Sequence, residues 1–308
     1  MPCSPVRRRA AARLLGWAGA LLAAAGCETV LPRSTPTEPV AETKSDVVPA
    51  RGTEPGPPPA TPPGKESTRR GPYVFYHDFS VDRADPLFAE LEALPDEVCG
   101  ELGLPPYTGI VQVFLFDTQD RYERYMRSRY RHLPTRRAYF IAEPRVGGGA
   151  DDLKVFTWTG DHLRTDLRHE LTHALLHGVL KDVPLWLDEG LAGYFELPPE
   201  QRGVNPQHLE MLRRGPFQPD LGRLERLDQV RQMEKPEYRE SWAWVHLMLR
   251  GPAPGKVALA EYLQQLRGTD RPGLLQPRLR EAIGDPDAAL ADHLARLATP
   301  RTRAAAPR

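Results

Sequence analysis

The residues with the most chemistry in this 308-residue chain stand together: His169-Glu170-Leu171-Thr172-His173, within the segment DLRHELTHALLHG. In an α-helix, positions four apart differ by about 40° in direction and ~6 Å in height, so two imidazoles at that spacing converge on one point. A tetrahedral zinc ion, bound to histidine nitrogens at ~2.0–2.1 Å, suits that point. Glu170, one residue along, turns away from the ion but reaches a water beside it, where a carboxylate serves as general base. Leu163, Leu167, Leu171 and Leu175 recur every four residues on the far side. The spacing therefore predicts a helix that packs one face and presents the other. On this motif alone a second reading stays open, a buried helix whose histidines are hydrogen-bonded core residues.

A catalytic zinc ion needs three protein ligands and one open position. His177 extends the histidine stripe, but three histidines at i, i+4 and i+8 span about 12 Å and cannot all touch one ion. That leaves His177 a role behind the ligands or in the core. The better third candidate is Glu189, in Val183-Pro184-Leu185-Trp186-Leu187-Asp188-Glu189-Gly190-Leu191-Ala192-Gly193-Tyr194-Phe195-Glu196. This stretch reads as a proline-led amphipathic helix, and a loop over 178–184 would let it fold back antiparallel to the first.

HELTH, followed after fifteen residues by the Glu of WLDEGLAGYFE, resembles the gluzincin zinc metallopeptidases, nearest to peptidase MA-like domains. It is more distantly similar to the aminopeptidase N family with its WLxEG helix. The block from Asp166 to Glu196 also resembles bacterial lipoprotein-type proteins carrying this domain. The resemblance implies a zincin-like fold and zinc held by His169, His173 and Glu189, with Glu170 as general base. It further implies that Tyr238, in EYRESWAWVHLML, stabilises the tetrahedral intermediate through its hydroxyl. An aromatic residue merely marking a helix entrance beside Pro236 competes with that role. His246 is an alternative donor or a core residue. The same likeness makes a sheet edge beside the active-site helix, at Ala138–Ala142 or Leu153–Trp158, the place where a peptide substrate pairs, and order along the chain favours the earlier. No GxMEN segment is present, so binding of a free α-amine is not expected.

The elements that position these residues begin with strands. Tyr73–Tyr76, Ile110–Phe116, Ala138–Ala142 and Leu153–Trp158 are rich in β-branched and aromatic residues. Between them Asp85–Leu102 and Thr118–Tyr130 read as helices, the first with Pro95 as a possible kink. Gly147-Gly148-Gly149 lacks the GKS or GKT ending of a phosphate-binding loop and reads as a flexible turn. The motif helix is expected over Asp161–His177, stopped by Gly178. Helices then dominate: Leu185–Phe195, Pro206–Arg214, Pro236–Arg250, Lys256–Arg267, Leu274–Ile283 and 287–297. The class expected is α+β, a small mixed sheet with helices over 71–160 followed by a mainly helical catalytic half over 161–297.

Both ends fall outside that body. Residues 1–27 join a basic stretch (Arg7, Arg8, Arg9, Arg13) to an apolar run too short to cross a bilayer, ending in small residues and Cys27. Ala24-Ala25-Gly26-Cys27 resembles the lipobox of bacterial lipoproteins, which implies acylation of Cys27 and cleavage before it; an ordinary secretory signal cut near Ala25 is the alternative. Residues 28–70 carry ten prolines and almost no aromatics, the composition of a disordered tether. The tail, 298–308, reads the same way. Cleavage before Cys27 removes four arginines and no acid, taking 41 basic against 41 acidic residues to 37 against 41, a net −4. That balance argues against a nucleic-acid partner, and the mean hydropathy of −0.49 against several membrane spans. Of three cysteines only Cys99 lies in the body, so no intramolecular disulfide is expected.

The expectation is thus zinc-dependent peptide hydrolysis by an exported protein, lipid-anchored to a bacterial membrane on its periplasmic side or at the cell surface, acting on peptides or proteins. Two others share its features: a peptidase-like scaffold lipoprotein without activity, and a metal hydrolase acting on a non-peptide amide or ester.

Overall fold

The computed structural model describes residues 13–15 and 61–298, apart from 83, 146, 270 and 271. Cys27, the expected signal segment apart from residues 13–15, most of the expected tether and the tail beyond residue 298 lie outside the described residues.

Five strands build the sheet: β2 (Glu66–Arg70), β3 (Tyr73–His77), β4 (Val111–Phe116), β5 (Tyr139–Glu143) and β6 (Asp152–Trp158), with side chains alternating between buried and half-buried along β3. They form one mixed sheet in the order β5-β6-β4-β3-β2, with β4 parallel to both β3 and β6, and the outer pairs antiparallel. A three-residue strand, β1 (Arg13–Leu15), pairs antiparallel along the outside of β5. Strand β2 moves a boundary. The tether expected to run to residue 70 gives way at Glu66, because Ser67 and Thr68 pair with Tyr76 and Phe75 at the far edge and bury Thr68. Proline density stops at Pro63, and a segment free of proline can complete a ladder.

Each face of the sheet is closed by helices. Helix α2 (Gln119–Arg129), capped by the Thr118 hydroxyl, lays Tyr122, Tyr125 and Met126 on Phe116, Tyr139, Ile141 and Phe156. The other face carries Tyr73, Phe75, Val113, Phe140 and Val155 against α1 (Pro86–Leu102) and α3 (Leu163–Val179). Pro95 lies inside α1 without ending it. The same apolar core continues through α4 (Leu185–Phe195), α7 (Lys235–Arg250), α8 (Ala253–Gly268), α9 (Gln276–Ile283) and α10 (Pro286–Ala298), so sheet and helical half share one interior. Among the smaller elements, α5 (Pro206–Arg214) is capped by Asn205, and α6 is a single turn, Leu221–Leu224.

Two local expectations are corrected. Gly178 does not stop α3, which runs to Val179; a Cβ at Gly178 would collide with the Tyr107 ring, and that contact is what requires glycine there. Nor does α3 present a face to solvent. From Asp166 to Leu176 every residue is buried, since β5 and β6 cover one side and α4 another. The three glycines 147–149 do form a turn, each with positive φ.

Candidate metal centre

Helices α3 and α4 run antiparallel, as the order of their polar contacts demonstrates. Going up α3, His169 meets Glu196 and Glu189, His173 meets Glu189 and Asp188, and His177 meets Asp188. The Arg168 guanidinium fixes this pairing. It is fully buried, donates to the Phe195 carbonyl at 2.9 Å, and reaches Glu90 and Glu97 of α1 at 3.2 and 2.9 Å.

The pairing gathers His169, His173 and Glu189 into a cluster whose ligand atoms all lie within 4.8 Å of one another. Glu189 Oε2 stands 3.5 Å from His169 Nε2 and 3.7 Å from His173 Nε2. Ligands bonded at ~2.0–2.1 Å in a tetrahedron are about 3.3 Å apart, so the three atoms suit a zinc-sized ion. Hydrogen bonding supports the same fit: His173 Nε2, Glu189 Oε2 and both Glu170 oxygens are buried with no hydrogen-bond partner. Groups so placed are costly unless something completes them.

Carboxylates stand behind both imidazoles. His169 Nδ1 donates to Glu196 Oε2 at 3.0 Å, and Glu196 in turn accepts from Asn205 Nδ2, the residue that caps α5. His173 Nδ1 lies 2.9 Å from Asp188 Oδ1, while His177 Nε2 bonds Asp188 Oδ2 at 2.8 Å. Because a carboxylate only accepts, His169 Nδ1 carries a proton toward Glu196, and its Nε2 faces Glu189. His177 therefore steadies Asp188 and points away from the cluster.

The charges follow from that arrangement. Burial works against a protonated His169, yet Glu189 and Glu196 outweigh it and lift its pKa to about 9. Burial raises the Glu170 carboxyl to about 7, with the two histidines pulling the other way. Asp188 is held far below the usual carboxylate range by His173 and His177, although burial opposes it. The Tyr238 hydroxyl, half-buried at the start of α7, lies 3.5 Å from Glu189 Oε1. Burial and the Glu189 charge raise its pKa, so it stays a donor.

All five expected site residues of the body thus meet in one place. None of His169, Glu170, His173 and Glu189 exposes more than 1% of its surface, so the centre is enclosed rather than presented. His246 is elsewhere, paired with His293 at 2.8 Å in the core. Sequence reasoning missed Asp188, Glu196 and Arg136. Glu196 follows Glu189 by seven residues, two turns on one helical face, which was a readable signal. Asp188 and Arg136 carried none.

A cavity of about 860 Å³ abuts the centre, walled at that end by Arg136, Tyr139, His177 and Asp188 and elsewhere largely by apolar residues, among them Leu133, Val183, Leu185 and Leu227.

No protein-family model and no curated protein matches the sequence. Among solved structures, the M1 zinc metallopeptidase of Deinococcus radiodurans is similar over 75% of this chain and 51% of that one, with a TM-score of 0.42 and 18% identity. This chain spans about half the length of that protein.

Proposed function

We propose that the chain is a zinc-dependent hydrolase of peptide bonds, exported and held at a bacterial membrane by a lipid on Cys27. The observation that carries the reading is the cluster of His169, His173 and Glu189, backed by Asp188 and Glu196, with an unpartnered Glu170 beside it. His169, His173 and Glu189 would hold the zinc. When bound, the ion supplies the Lewis acidity that polarises a carbonyl and eases deprotonation of water. Glu170 takes the proton of the attacking water and delivers it to the leaving nitrogen as the C–N bond breaks. Tyr238 donates its hydroxyl proton in a hydrogen bond to the carbonyl oxygen as that atom becomes negative. Glu196 and Asp188 keep both imidazoles turned for ligation.

The outer edge of β5 supports the peptide as substrate class. Strand β6 has neighbours on both sides, whereas among the described residues only Arg13–Leu15, an extended segment joined antiparallel, lies beyond β5. That segment belongs to the leader, so its removal on export would open the edge to an extended substrate. Among the described residues no helix is long and apolar enough to cross a membrane, and the lipid would be the anchor.

Metal analysis of the purified full chain tests the reading. One zinc per chain is expected, lost in Glu189→Ala. Glu170→Gln should keep the zinc and lose hydrolysis of a peptide library by roughly 10²-fold or more. A wild type free of metal, or a fully active Glu170→Gln, refutes it.

A further inference from the structure

Arg136 lies in the short loop entering β5, and the loop is pinned on both sides of it. The Tyr139 hydroxyl donates to the Pro134 carbonyl; Arg137 Nη2 donates to Asp166 Oδ1 of α3 at 2.8 Å, and the Thr157 hydroxyl to the Arg137 carbonyl at 3.4 Å. Between these ties the Arg136 guanidinium is half-buried in the cavity wall with Tyr139, His177 and Asp188. Its inner neighbours are the Tyr238 hydroxyl and, through charge, Glu189. Its Nη1 is buried without a hydrogen-bond partner. The guanidinium, hydrogen-bonded to the Tyr238 hydroxyl and with its Nη1 still unsatisfied, thus stands between the cavity and the metal-ligand cluster. Held donors of this kind stabilise charge that develops during reaction, since they need no reorganisation when it appears.

We propose that Arg136 is the second oxyanion donor of this site, its Nη1–H joining the Tyr238 hydroxyl on the oxygen of the scissile carbonyl. The inference rests on the peptidase reading. As the water oxygen bonds to the carbonyl carbon, the π pair moves onto the carbonyl oxygen and is met by both donors. The water proton has passed to Glu170. When the C–N bond breaks, the pair returns to re-form C=O and Glu170 gives the proton to the amine, so one water and one amide become one acid and one amine.

The probe is a phosphinic tetrapeptide of alanine and leucine, blocked at both ends, whose tetrahedral anionic PO₂ group replaces the scissile amide. It carries no free carboxylate, so the phosphinate is the only anion with which Arg136 can pair. Binding is measured by calorimetry on the zinc-loaded full chain, with acetohydroxamate, a planar zinc chelator, as the second probe. Arg136→Met should weaken the phosphinate roughly 100-fold, the loss typical of one oxyanion donor, while zinc content and acetohydroxamate binding hold within about threefold. Arg136→Lys, which keeps the charge and loses the planar fork, should fall between. Phosphinate binding unchanged or tighter in Arg136→Met would make the residue a wall or barrier and overturn the proposal. Equal losses for both probes would also overturn it, since Arg136 would then act through the metal ligands. A wild type that holds zinc but binds no phosphinate refutes the peptidase reading itself and takes this inference with it, a result read without any variant.

Discussion

Asp188 carries two histidines on one carboxylate, one oxygen near His173 and the other bonded to His177. On the zinc reading, its charge beside His173 Nδ1, 2.9 Å away, would keep the imidazole proton on that side and leave Nε2 for the metal. Asp188→Ala should therefore keep the fold and all three ligands, yet weaken zinc binding by about 10–100-fold. Competition with a chelator of known affinity measures this, and an unchanged zinc affinity would show that Asp188 serves only packing. The neighbouring Glu189 should behave differently on removal, since on the same reading it would itself bind the ion. On the zinc reading, two adjacent acids in WLDEG would thus split the work: one would bind, the other orient.

At the scale of elements, the site depends on how closely α4 can lie on α7, since Tyr238 rides on α7 and Glu189 on α4. Gly190 sets that distance. A Cβ there would stand 2.6 Å from the Ser241 carbonyl oxygen and 2.9 Å from Val245 Cγ2, and the first of these is backbone that cannot swing aside. Gly190→Ala should force the helices apart, destabilising the chain by about 1–3 kcal/mol as overpacking does. It should also lengthen the Tyr238–Glu189 approach, so activity falls more than zinc content. Chemical unfolding beside a metal assay tests both; a variant as stable as wild type would show that the helices slide without cost. Arg168 acts on the other flank. Buried on α3, it reaches α4 and α1 together and locks the register in which His169 faces Glu196.

Over the whole molecule the interior is continuous, and its polar inclusions make stability depend on pH. His246 and His293 share a bond of 2.8 Å deep between α7 and α10. Burial depresses both, His246 to about 3 with His293 adding to it, and His293 to about 4 with Arg296 adding. A native pKa below the unfolded value of about 6.5 means the folded chain binds fewer protons. Stability from this pair is then complete above about pH 6.5 and is lost as pH falls toward 4. The loss between pH 7 and pH 4 is on the order of 3 kcal/mol for each of the two histidines. Urea midpoints across that range should fall more steeply for wild type than for His293→Gln, a comparison in which any loss of metal cancels. Parallel curves for the two chains would remove the pair as the cause.

Some of this was decided by local rules acting within a few turns of chain. The i, i+4 spacing of His169 and His173, the proline before α4, and the β-branched runs of β4 and β6 each name an element without reference to anything distant. The motif helix, the two helices that follow it and the mixed α+β class are legible for that reason. The third expected ligand, Glu189, was legible through a resemblance. Long-range contacts decided the rest, because sequence separation hides them. Nothing near Arg136 in the chain announces that it will meet Tyr238, a hundred residues on. Burial of the HELTH face follows from β5, β6 and α4 closing over it, and a single helix read alone presents that face to water. The cost of burying carboxylates and imidazoles together belongs to the folded interior alone, where water no longer satisfies them.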